Sequence, residues 1–85
     1  MNLSGSGGLL RVGGIAVAEL GPWQAEGDLG SMAGTAQATV LDAFYMEHST
    51  RFRLVLQLGN REMAGECPSA KIDEQGILHF HWRRS

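Results

Sequence analysis

Between Arg51 and Leu58 the chain alternates without a break. Phe52, Leu54, Leu56 and Leu58 take one face, and Arg51, Arg53, Val55 and Gln57 the other. A period of two is the signature of a half-buried strand, and this is the clearest strand in the sequence. The closing run ILHFHW repeats it, with Leu78, Phe80 and Trp82 on one side and Ile77, His79 and His81 on the other. Phe52, Leu54, Leu56, Leu58, Leu78, Phe80 and Trp82 are therefore the expected core. Upstream, Ala36, Val40, Leu41, Phe44, Tyr45 and His48 also fit a helical i, i+3, i+4 pattern. The β-branched and aromatic enrichment, and the need of the Arg51–Leu58 strand for a neighbour, favour instead a strand over Thr39–Met46, with EHST as the turn.

Gly59-Asn60 predicts a turn, REMAGECP a short strand stopped by Pro68, and SAKIDEQG a polar loop closed by Gly76. Nine of the twelve glycines lie in the first 34 residues, which excludes a long helix there. MNLSGSGG, residues 1–8, reads as a flexible lead-in. Leu9 to Leu20 reads as two alternating half-strands about Gly13-Gly14, ended by Gly21-Pro22, and GDLGSMAG as a loop. Residues 9–85 thus form one all-β domain, a small antiparallel OB-like barrel of five or six short strands.

At 85 residues such a domain buries only about 60% of its unfolded surface, so a partner surface or second copy would help it. No apolar run has the ~18 residues of a membrane span, and no basic segment precedes an apolar one at the N-terminus as in a secretory signal. Cys67 is the only cysteine, which fits a reducing, cytoplasmic setting. A net charge of −2 argues against nucleic-acid or anionic-membrane binding. The charge is unevenly spread: Arg11 is the only basic residue up to Thr50, against five acids, whereas six basic residues face four acids from Arg51 onward.

His79 and His81 share a strand face and are the candidate metal ligands, but zinc needs three or four donors and only Cys67 and His48 are otherwise suited, so surface histidines are the simpler reading. Arg51 and Arg53, with backbone amides at subunit edges, are the candidate ligands of a small anion, and with Arg83 and Arg84 they form a candidate basic strip for single-stranded nucleic acid. A single-stranded nucleic acid fits poorly, since the neighbouring aromatics point inward. The glycine pairs are followed by no Gly-Lys-Ser/Thr, so the chain alone carries no nucleotide-hydrolysing loop. No spacing marks a catalytic triad. Cys67 before Pro68 reads as a buried small residue, and Met32, Met46 and Met63 as core filler. No cofactor is implied, and the expectation is a protein that is not an enzyme.

In order, Gly34-Thr35, Phe44 and Tyr45, Ser49-Thr50-Arg51-Phe52, Gly59-Asn60, Pro68, Gly76 and Trp82 resemble the transport-associated OB (TOBE) domain, found at the C-terminus of the ATP-binding subunits of ABC importers. The segment LLRVGGIAVAEL is similar to the strand pair that precedes that core, so the resemblance runs from Leu9 to Trp82. The chain departs from the family at the first turn, where Met46-Glu47-His48 replaces a glycine, at Ile77 in place of an aspartate, and in lacking an Arg-Pro-Glu segment. The resemblance implies a regulatory and dimerisation domain, partnered by a second copy or by its own ATPase domain, and peripheral to the inner membrane within a transporter for sugars, polyamines, iron or similar solutes. The alternative is a free-standing barrel that binds a small molecule or oxyanion.

Overall fold

The computed structural model describes Met1–Ser85 as a closed six-stranded antiparallel barrel. The strands are β1 (Asn2–Val12), β2 (Ile15–Gly27), β3 (Ser31–Val40), β4 (Phe52–Leu58), β5 (Arg61–Ile72) and β6 (Ile77–Arg84); one helix, α1 (Ala43–His48), lies between β3 and β4. Around the barrel the order is β1-β2-β3-β6-β5-β4. Two three-stranded meanders, β1-β2-β3 and β4-β5-β6, are thus joined by α1 and sealed where β3 meets β6 and β1 meets β4. This is one strand more than the five of an OB barrel. No helix is long and apolar enough to cross a membrane.

The alternating strands behave as their periodicity dictates. Phe52, Leu54, Leu56, Leu78, Phe80 and Trp82 are buried, whereas Leu58, at the barrel's end, is half-buried against the core. The front half contributes as much: Leu10, Val17, Ala18, Leu20, Trp23, Ala25, Met32 and Ala36 are buried with them. Large inward side chains sit beside small ones. Phe80 is in register with Gly34 and Ala70, and Leu54 with Gly65. That alternation lets a barrel this narrow fill without overpacking.

Four expectations are corrected. Residues 1–8 are not a flexible lead-in, because β1 pairs with β2 from Asn2↔Glu26 onward and Gly27 N–H donates to the Met1 carbonyl at 3.0 Å. Its glycines answer to close packing. A Cβ on Gly5 would lie 2.6 Å from the Gln57 carbonyl oxygen and 2.9 Å from the Trp23 ring, whose Nε1 donates to that same carbonyl at 3.1 Å. Gly65 plays the same part for the other tryptophan, since its Cβ would meet Trp82 Nε1 at 2.5 Å.

Secondly, neither proline ends its strand. Gly21 and Pro22 together oppose Gln37 of β3, and Cys67 and Pro68 together oppose Trp82 of β6. Both are β-bulges, where the ladder already lacks a bond and the missing proline N–H costs little. β2 therefore runs on to Gly27 and β5 to Ile72. The third correction is the GDLGSMAG loop, which shrinks to a tight turn: Asp28 Oδ1 accepts from the N–H groups of Gly30 and Ser31, and β3 starts at Ser31.

The fourth concerns Thr39–Met46, which is not a strand partner of β4. β3 ends at Val40 and α1 follows, N-capped by Asp42, whose Oδ1 accepts from Tyr45 N–H at 3.0 Å. β4 finds its neighbours in β1 and β5, so the segment before it is free to cross the barrel end as a helix. The amides of Leu41 and Asp42 both donate to the Val17 carbonyl and fix that crossing.

Candidate functional site

Arg51 and Arg53 lie on the outer face of the barrel, and the topology brings two further arginines to them. Arg53 is the direct cross-strand partner of Arg11 on β1 and of Glu66 on β5, and Glu66 is in turn the partner of Arg83 on β6. A row Arg11-Arg53-Glu66-Arg83 therefore crosses four adjacent strands, with Arg51 at the end of β4 beside it. Arg83 Nη2 holds Glu66 Oε2 at 2.9 Å, and that hydrogen bond, then the guanidinium charge, lowers the Glu66 carboxyl below its ordinary range. Arg53 lies opposite Glu66 without closing an ion pair on it; its Nη2 donates to Ser85 Oγ at 3.4 Å. Arg11 forms no ion pair either. A shallow depression of about 490 Å³ lies between Gly13, Thr50, Arg51, Arg53, Glu66 and Arg83.

The other two candidate residues do not converge on a metal. His79 and His81 share the outer face of β6, but His79 Nε2 is 2.9 Å from Asp73 Oδ2 while His81 Nε2 is 3.1 Å from Ser31 Oγ. Asp73 is committed to the β5–β6 turn, where Oδ1 accepts from the amides of Gln75 and Ile77. The His79 hydrogen bond, and after it the Ile77 amide, hold its carboxyl below the ordinary range. No three His, Cys, Asp or Glu side chains gather at one point. Cys67 is buried in the β5 bulge and donates from Sγ to the Ser69 carbonyl; burial pushes its thiol up to about 11. A thiol so held is a poor nucleophile near neutrality.

A second surface has no counterpart in the sequence reading. Because the segment crosses the barrel end as a helix, Val40, Leu41, Phe44 and Tyr45 stand exposed, Phe44 at 64%. Phe44 packs only locally, edge to face on Tyr45 at 5.5 Å and tilted against His48 at 4.6 Å. Beside it, Met46, Phe52, Ala70 and Ile72 line a groove of about 670 Å³ between α1 and the end of β5, rimmed by Glu47 and Lys71. The helical spacing of Leu41, Phe44 and Tyr45 was the one signal that would have revealed this face. The arrangement of Arg11 beside Arg53 had no local signal, since 42 positions separate them.

Comparison with known proteins places none beside this chain: no family model, no curated protein and no solved structure matches it.

Proposed function

We propose that the chain is a non-catalytic docking and regulatory barrel, of the kind its resemblance to the TOBE domain implies for the ATP-binding subunit of an importer. The observation that carries this reading is the exposed face of α1. Phe44 and Leu41 are more than half exposed, and Val40 and Tyr45 beside them are exposed as well, so an apolar patch stands uncovered at this barrel end. Docking that buried the remaining exposed half to two-thirds of Phe44 and Leu41 would recover roughly 1–2 kcal/mol of transfer free energy per side chain. Asp42 and Glu47 flank the aromatic pair, so a twofold dimer through this face would crowd four carboxylates into a small interface. A different protein, with an apolar centre and basic rim, complements it better.

Titration calorimetry of the barrel with the ATP-binding subunit of an importer tests the reading. Micromolar binding with a negative heat-capacity change, weakened at least tenfold by Phe44→Ser, is expected. Failure of the wild-type barrel to bind, or equal binding by Phe44→Ser, would remove the reading.

A further inference from the structure

We propose that the arginine row on the outer face is a binding site for a compact oxyanion of the phosphate class, and that the anion locks the seam by which the barrel closes. The inference extends the oxyanion reading of Arg51 and Arg53 and does not depend on what α1 docks against. Three observations meet here. The first is composition of the row: Arg11, Arg51, Arg53 and Arg83 surround a single carboxylate, Glu66, in a protein whose overall charge is −2. Glu66 is already held by Arg83 at 2.9 Å and feels Arg53 and Arg51 more weakly, so neither Arg11 nor Arg53 closes an ion pair of its own.

The second is their placement. Like charges directly opposite one another on antiparallel strands are destabilising, and Arg11 and Arg53 are such a pair. The third is the seam they sit on. β1 and β4 are joined over four register pairs only, Gly8↔Leu56 to Arg11↔Arg53, whereas β1 and β2 are paired along almost their full length. The repulsive pair thus stands at one end of the shortest joint in the barrel. A tetrahedral anion between the two guanidiniums turns that repulsion into two charge-assisted contacts, and the depression adjoining Arg53, lined also by Arg51, Arg83 and Glu66 and not by Arg11, leaves room for it on the β4 side. Planar forks and fixed strand positions suit a small dianion better than a diffuse polyanion, and an anion that prefers the closed seam stabilises it by mass action.

The test is thermal unfolding of the intact chain, at constant ionic strength, in chloride, in inorganic phosphate and in glycerol phosphate, with calorimetric titration of both phosphates. Wild-type protein is expected to gain several degrees in at least one phosphate over chloride, with saturable binding. Response to inorganic phosphate alone identifies a free anion as ligand, and a larger response to glycerol phosphate a phosphate monoester. Arg53→Gln and Arg11→Gln should each weaken binding at least tenfold, while Arg61→Gln, beside the β4–β5 turn at the far end of β4, should bind as wild type. A crossing is also expected: in chloride Arg53→Gln melts at or above the wild-type temperature, because the like-charge pair is gone, and in phosphate it melts below. Equal melting of wild-type protein in all three salts, or equal loss with Arg61→Gln, would overturn the proposal.

Discussion

Replacing Leu56 by alanine tests the inward row of β4 where the barrel has least capacity to adjust. Leu56 is fully buried, and its register partners are Gly8 on β1 and Met63 on β5. Gly8 has no side chain to move into the space, and its backbone is already tight, a Cβ there lying 2.5 Å from the Val55 carbonyl oxygen. The cavity is therefore filled only in part, which places the cost in the range of incompletely relaxed leucine truncations, about 3–4 kcal/mol. A domain of this size has a total stability of about 4–13 kcal/mol, so the variant loses a large share of it, and its midpoint falls by roughly 12–30 °C. Urea unfolding followed by tryptophan fluorescence is a suitable assay, because Trp23 and Trp82 are both buried. Arg53→Ala, three residues back on the outer face, is the reference and should cost nothing or stabilise slightly. A loss below about 1 kcal/mol for Leu56→Ala would refute the facing assigned to β4.

Further outcomes follow from single contacts. Gly65→Ala should cost about 1–3 kcal/mol, since the added methyl meets the Arg83 carbonyl oxygen at 2.4 Å and the Trp82 indole, and the shift in Trp82 fluorescence reports it. Asp42→Ala should cost about 1 kcal/mol by removing the α1 N-cap, read as faster amide exchange at Tyr45. Asp28, Glu66 and Asp73 all have folded pKa values below their ordinary 3.8, 4.5 and 3.8, so their contribution is present above those values and lost as pH falls through the lowered ones. Acid unfolding should accordingly steepen below about pH 4, and Asp73→Asn should flatten part of that slope in a pH series of melting temperatures.

The alternating runs of β4 and β6 were legible because each residue's face is set by the pleat alone, and the closed all-β architecture followed from them. Three features were not legible, each for a physical reason. Pro22 and Pro68 read as strand ends, but a bulge accommodates a residue without an N–H when two residues oppose one, and that depends on the neighbouring strand. Gly5 and Gly8 read as flexibility, yet they are small because the Gln57 and Val55 carbonyls of β4, and behind them Trp23 and Leu20 of β2, press on them, a constraint visible only once β1 lies between β2 and β4. The Ala43–His48 segment carried both periodicities, and the choice was made by a distant fact, that β1 already occupies the edge of β4. Of the candidate site, Arg51 and Arg53 were visible as a strip; Arg11 was hidden in the acidic half of the chain and joins them only through closure.

That closure is the claim on which the fold and the anion site both depend. It is measured most directly by amide hydrogen exchange and through-space contacts in the magnetic resonance spectra of the free protein. The account predicts contacts between the backbones of Leu10 and Leu54 and of Arg11 and Arg53, with the amides of β1 from Gly8 to Arg11 exchanging far more slowly than that of Asn2. Exchange of those amides as fast as in an unstructured peptide, with no contact between β1 and β4, would leave an open sheet with a loose N-terminal segment and would separate Arg11 from Arg53.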